Sequence, residues 1–351
     1  MTHRPIAITM GDPAGIGPEI IVRAFAAQPE VMQGCFVAGD IAHMRRATAL
    51  VARADSTLAW PVASLPQPQD VAYVPVRCLP VLQAAQPAAT LLAFGRVDAS
   101  AGRMAAQAVV WAAQAAALGQ IAAMVTAPLH KEALAAAGVA FPGHTELLQH
   151  EAARHLGCTA ADLPVRMMLA NGELRVVLVS IHVSLRQAIE AVTPTNLLQT
   201  LSIANQALFA ALGRRPRLVV AGLNPHAGEG GLFGSEEMHI IAPAVQAARS
   251  HGLDVTGPLP PDTVFMRARA RSRSEPGEFD AVIAMYHDQG LIPVKYLGMD
   301  QGVNVTLGLP WVRTSPDHGT AFDIAGSAKA DPASLLTAVV MARALSADRG
   351  V

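Results

Sequence analysis

Leu174–His182, LRVVLVSIH, is a short run of β-branched and aliphatic residues ending on a histidine, and the helical stretch around LRQAIEAV (185–192) follows it at once. A strand running into a helix is the repeating unit of a parallel sheet, because a parallel neighbour is reached only by a long crossover. The same alternation extends in both directions. Upstream, PIAITM (5–10) precedes IIVRAFAA (20–27), CFVAGD (35–40) precedes IAHMRRATALVARA (41–54), and IAAMVTAP (121–128) precedes KEALAAAG (131–138). Downstream come RLVVAGLNPH (217–226), FDAVIAMYHD (279–288), VNVTLGL (303–309) and a closing helix near Ala333–Leu345. The pattern predicts one α/β architecture from end to end. A helix over Ala101–Leu118 has Ser100 as its expected N-cap and Gly119 as its stop. PVASLPQPQD (61–70) is proline-rich and predicts an irregular loop before VAYVPV (71–76), and RARARSRS (267–274), with Glu275, Glu278 and Asp280 close behind, reads as a solvated loop.

Composition narrows the function. The 351 residues suffice for about two domains. Hydrophobic residues make up 52% but aromatics only 4%, so the core is aliphatic, as suits parallel strands under alanine-rich helices. With 26 Lys and Arg against 27 Asp and Glu there is no basic field for a nucleic-acid backbone, and nucleic-acid partners are not expected. Cys35, Cys78 and Cys158 form no CxxC pair, which fits a reducing compartment and a cytoplasmic protein. MTHRPIAITMGDP does not read as a signal peptide, and no apolar run is long enough for a membrane span.

Three expected strands end alike, with His182, His226 and His287 at or just beyond their C-terminal ends, the edge where open α/β sheets bind ligands. The histidines are far apart in sequence, so only the fold can gather them. Imidazoles converging from three strands suit a divalent metal and leave coordination positions open for substrate. Glycines crowd around His226 in AGLNPHAGEGGLFGSEE, before a helix expected to open near Ser235, and Asp288, Gln289 and Lys295 follow His287. In GHTELL, His144 and Thr145 begin a helix, where Thr145 is either a simple N-cap or part of an anion site. GDPAGIGPEI, with Gly11, Gly15 and Gly17, does not fit GxGxxG, so the usual Rossmann fingerprint is absent. Arg313, Asp317, His318 and Asp323 make a polar loop near the C-terminus.

Taken in order, ITMGDPAGIGPEI, TAPLHKEAL, PGHTELL, NPHAGEGG, GPLPPDTVF, YHDQG and VNVTLGLPWVRTSPDHGTAFDIAG resemble the 4-hydroxythreonine-4-phosphate dehydrogenase family of PdxA type, from Ile6 to Gly326. The resemblance implies two α/β/α domains around a cleft, as in isocitrate and isopropylmalate dehydrogenases. We set these at 1–125 with 300–351, and at 126–299, the second carrying the metal-site histidines. It further implies a homodimer with a shared active site and one divalent metal (Zn, Mg, Co or Mn) on His182, His226 and His287. Substrate contacts are implied at His144, Thr145, Lys295, Asn304 and Arg313, and His318 and Asp323 become candidates for the adenosine end of NAD or NADP. The general base is open among Lys295, Asp262 and a hydroxide on the metal.

The implied reaction is NAD(P)-linked oxidation and decarboxylation of 4-hydroxythreonine 4-phosphate to 3-amino-2-oxopropyl phosphate, in pyridoxal phosphate biosynthesis. Leu232 and Phe233 stand where the biosynthetic pattern has His-Met. They resemble instead the branch that converts 4-phospho-D-threonate or erythronate to dihydroxyacetone phosphate. Two rivals are a phosphate-free dihydrodiol dehydrogenase, disfavoured by Lys295, Asn304 and Arg313, and a non-catalytic metal or phosphate-ester binding protein, disfavoured by the DHGTAFD loop.

Overall fold

The chain builds its strands into two units, each with its own core. The computed structural model describes residues 4–270, 272, 274–298 and 301–347, so Arg271 and Arg273 of the basic stretch lie outside the described residues. The first unit comprises Met1–Leu163 and Leu309–Ser346, the second Pro164–Gly308. In the first, β1 (Ile6–Thr9), α1 (Gly17–Ala27), α2 (Pro29–Met32), β2 (Cys35–Gly39), α3 (Ile41–Ala54), β3 (Val62–Leu65) and β4 (Leu79–Gln83) are followed by α4 (Ala99–Ala117), β5 (Ala123–Thr126), α5 (Lys131–Ala136) and α6 (His144–Leu156). The second holds β6 (Arg166–Ala170), β7 (Arg175–Leu178), α7 (Leu185–Glu190), α8 (Pro194–Leu212), β8 (Leu218–Ala221), α9 (Ala242–Ser250), β9 (Val255–Leu259), α10 (Pro261–Ala268), β10 (Ala281–Ala284), α11 (His287–Tyr296) and β11 (Val303–Leu307). The chain then returns to the first unit with β12 (Val312–Pro316) and α12 (Ala333–Ser346).

Strands of the first unit run in the order β3-β4-β2-β1-β5-β12, every pairing parallel. All residues of β1, β2, β5 and β12 are buried, as strands covered by helices on both faces must be. The second unit has the order β11-β6-β7-β10-β8-β9. Val176, Leu178, Val219, Ala221, Val282 and Ala284 point to one face of its sheet, against Val264 of α10 and Leu291 and Val294 of α11. The alternate residues Val177, Val220 and Ile283 are equally buried on the other face, where α8 packs along β6 and β7. Each fully buried aliphatic contributes roughly 1.5–3 kcal/mol, so these three layers are a main source of the unit's stability.

Several expectations need correction. The crossings between units fall after Leu163 and Gly308, not after 125 and 299, because α5 and α6 pack on α4 and so keep 126–163 with the first unit. The α4 N-cap is Asp98 and not Ser100: the Asp98 carboxylate accepts from Ser100 N, which places Ser100 inside the first turn. The loop expected at 61–70 contains edge strand β3, which tolerates the flanking prolines because only one side pairs, whereas Tyr73 and Val76 lie exposed. The second sheet is not parallel throughout: β6 pairs antiparallel with both β7 and β11. Asn171 folds the β6–β7 turn, its Oδ1 accepting from Glu173 N and Leu174 N, and a hairpin this short cannot give a parallel pair. Finally, the basic stretch begins inside α10, with Arg267 paired to Glu278 and Arg269 to Glu173.

Candidate active site

The three histidines lie at the C-terminal edge of β7, β8 and β10, neighbours in the second unit's sheet. The rings of His182 and His287 are 5.8 Å apart between centroids. His287 opens α11, and its Nδ1 is 2.7 Å from Asp288 Oδ1, which orients the ring and leaves Nε2 for a ligand. The helix can begin there because Gly290 lies tight on the sheet: a Cβ on it would meet Leu178 Cδ2 at 2.6 Å and Val176 Cγ1 at 2.7 Å. His226 belongs to a run of left-handed residues, His226–Gly230, with φ between 44° and 82°, and its ring faces Phe233 at 6.1 Å. Among the described residues, no three His, Cys, Asp or Glu side chains stand together as a metal set. Two of the histidines are thus paired while the third is turned aside, although the donors are of the kind a divalent ion takes and share one sheet edge.

His226 lines a cavity of about 720 Å³ with Asp262, Asp288, Tyr286 and Gln289. Asp262 is exposed in the first turn of α10, so its carboxylate opens toward the same space. Lys295 stands two turns along α11 from His287, and Asn304 lies on β11, separated from β10 by β6 and β7. The helix expected near Ser235 begins instead with a π-helical turn, Glu237–Ile241, whose buried Glu237 holds the His226 loop: its Oε1 accepts from Leu223 N at 2.7 Å and Asn224 N at 2.8 Å. The sequence gives no sign of this grip, because the partners are backbone groups.

In the first unit, Arg313 on β12 is 5% exposed and donates from Nε and Nη2 to Thr126 Oγ1 at 3.2 and 2.8 Å. Burial lowers its pKa to about 10, which leaves it cationic at neutral pH. His144 lies close enough to feel that charge: burial first, and Arg313 second, push its pKa well below the usual imidazole value, so it is neutral. Its Nε2 is buried with no hydrogen-bond partner among the described residues. Gly143 is the N-cap of α6, which removes the simple capping role from Thr145 and places its hydroxyl in the helix's first turn. A buried cation, a neutral imidazole and a helix N-terminus are groups of the kind that hold an anion.

His318 keeps Nδ1 3.1 Å from Gly319 O and has a buried Nε2 without a partner among the described residues, whereas Asp323 is exposed. Between them Phe322 stacks on His130, centroids 4.6 Å apart and planes within 13°. Thr320 fills the space a side chain at Gly15 would need, so the glycine turn after β1 packs directly on this loop. Asp12 in that turn is fully buried; Oδ1 accepts from Ala14 N at 2.8 Å and Oδ2 has no partner among the described residues. Burial pushes its carboxyl up to about 6 against the opposing pull of Ala14 N–H and His130. The motifs GDPAGIGPEI and TAPLHKEAL contain Asp12 and His130, but spacing alone singles out neither.

The family model for pyridoxal phosphate biosynthetic protein PdxA matches residues 31–342. The 4-hydroxythreonine-4-phosphate dehydrogenase of Beijerinckia indica subsp. indica is 50% identical over 339 residues, 96% of this chain and 94% of that protein. The D-threonate 4-phosphate dehydrogenase of Salmonella typhimurium is 42% identical, covering 99% of this chain and all of its own. Among solved structures, 4-hydroxythreonine-4-phosphate dehydrogenase from Klebsiella pneumoniae superposes with a TM-score of 0.83 at 41% identity, over 98% of this chain and 99% of that one. Similarity at this level spans both units, and the chain therefore belongs to the PdxA family of dehydrogenases.

Proposed function

We propose that the protein oxidises the C3 alcohol of a four-carbon hydroxy acid phosphorylated at C4 and releases the carboxylate as CO2, with 4-hydroxythreonine 4-phosphate as substrate and 3-amino-2-oxopropyl phosphate as product. The observation that carries this reading is the buried, cationic Arg313 beside the neutral His144, in a chain of dehydrogenase sequence. A guanidinium in that setting binds phosphate or carboxylate bidentately. Lys295 supplies a second cation, Asn304 and Thr145 hydrogen bonds, and His144, being neutral, orients a hydroxyl without repelling Arg313.

His182, His226 and His287 would hold a divalent ion, Zn, Mg, Co or Mn. When bound there, it would supply a Lewis acid able to stabilise negative charge on a substrate oxygen. NAD or NADP supplies the hydride acceptor, and His318 and Asp323 would bind its adenosine end. The proton of the C3 hydroxyl passes to Asp262 or Lys295, of which Asp262 shares a cavity with His226.

The working unit is a homodimer with a shared active site; exposed Val183, Leu185 and Ile189, next to His182, supply an apolar face for the partner. The unpaired cysteines support a cytoplasmic location, and no helix among the described residues is long and apolar enough to cross a membrane.

Phe233 against His226 favours a second reading, in which C2 carries a hydroxyl: the substrate is 4-phospho-D-threonate and the product dihydroxyacetone phosphate. The deciding experiment is NAD(P)H formation with the two substrates side by side. The preferred one should win by an order of magnitude or more in kcat/KM, and turnover of neither defeats both readings. Arg313→Ala should lower kcat/KM by roughly one to two orders of magnitude, since a charge-assisted contact is worth about 1.5–3 kcal/mol. An unphosphorylated analogue turned over equally well by the wild type would remove the phosphate from the reading.

A further inference from the structure

The three histidine-bearing strand ends are laced together by hydrogen bonds in which no histidine takes part. Ser180 Oγ, two residues before His182, donates to Met285 O at 2.9 Å. Met285 N, two residues before His287, donates to Gln289 Oε1 at 2.7 Å. Gln289 Nε2 donates to Gly222 O at 2.7 Å, four residues before His226. The lace crosses β7, β10 and β8 in their order in the sheet, at the level where each strand gives way to its histidine loop. Ser180, Met285 and Gly222 are buried, so these bonds do not compete with bulk water.

Gln289 reaches two elements with one side chain. Its amide orientation follows from its partners, an N–H on one side and a carbonyl on the other. A glutamate lacks the donor, a methionine lacks both groups and an asparagine is one methylene short. Beyond Gly222, Glu237 takes the next two backbone N–H groups, so the His226 loop is gripped at its start by two side chains from different helices.

We propose that Gln289 is a positioning residue that sets the His226 loop against the His287 helix end and so fixes the spacing of the backbone segments that carry the histidines; this rests on reading those histidines as metal ligands. A staple that served only the sheet would matter to stability alone. A positioning role requires metal affinity and coordination geometry to change when the amide is removed.

The test uses the full chain after chelation, titrated with Co2+ and followed by the visible absorption of the bound ion. Thermal midpoints are measured separately in chelator. Gln289→Met, uncharged and of similar length, should weaken Co2+ binding about 10- to 100-fold and alter the absorption band. Its metal-free midpoint should move by only a few degrees. Ser180→Ala, which removes a more distant link, should weaken binding roughly fivefold and decides the matter if Gln289→Met does not fold. His226→Ala is the control for the underlying reading. If it loses Co2+ while Gln289→Met, or Ser180→Ala in its place, binds with wild-type affinity and spectrum, the positioning role is overturned and the metal site stands. If His226→Ala itself binds like the wild type, the metal reading fails and the inference goes with it.

Discussion

His287→Ala is expected to lower kcat by a factor on the order of 10³ or more while leaving the fold nearly as stable as before, because stabilising charge at the reacting oxygen is the main way a site of this kind lowers the barrier. The side chain is 38% exposed and its carboxylate neighbour Asp288 72% exposed, so truncation opens no core cavity and strands no buried charge. Surface changes of that sort stay within about 0.5 kcal/mol. Catalysis and stability should therefore separate cleanly, as they should when the wild type is treated with a chelator. Metal content, kcat and thermal midpoint measured on one preparation check it. A variant with full metal content and wild-type turnover would show that His287 is not a ligand.

Asp12→Asn should raise stability at neutral pH. The folded state holds the Asp12 carboxyl at about 6, against 3.8 for the free group, so folded protein binds this proton more tightly than unfolded chain. Stability from this group is complete below pH 3.8 and is lost as pH rises through 6; the loss at neutral pH is ~3 kcal/mol. Asparagine keeps the oxygen that accepts from Ala14 N and carries no charge. The variant is expected to unfold roughly 5–10 °C higher at pH 7 and to lose this decline between pH 4 and 6. Midpoints recorded across that range test the claim, and a variant less stable than wild type at pH 7 would refute it.

Much of this architecture can be read from periodicity. Aliphatic runs such as LRVVLVSIH and RLVVAGLNPH are buried on both faces, and a strand with no polar face declares its helix-covered setting. The Asn171–Gly172 pair is also a readable hairpin signal, in keeping with β6 running antiparallel to β7. By contrast, the boundary after Leu163 depends on α5 and α6 packing on α4, a long-range match with no local signature. The histidines lie at the strand ends where the sequence places them, but the turn of His226 toward Phe233 follows from consecutive left-handed residues, including the non-glycines His226, Ala227 and Glu229. Glycine-rich spacing announces a tight loop without specifying which way its side chains face. The roles of Asp12 and Gln289 are illegible for a related reason: each acts through burial or backbone partners that composition does not encode.

The route of the chain through the two units bears on how the protein is made. The strands of the second unit all lie in one stretch, Pro164–Gly308, so that unit has all of its strands soon after Gly308 leaves the ribosome. The first unit must wait for β12 and α12 near the C-terminus, and until β12 arrives the outer edge of β5 offers a row of open backbone groups beside an apolar surface. At synthesis rates of roughly 5–20 residues per second, that edge stays open for on the order of ten seconds or more after β5 emerges. The second unit should therefore mature first although it lies later in the sequence, and truncations that remove β12 and α12 should yield aggregates in place of a shortened enzyme.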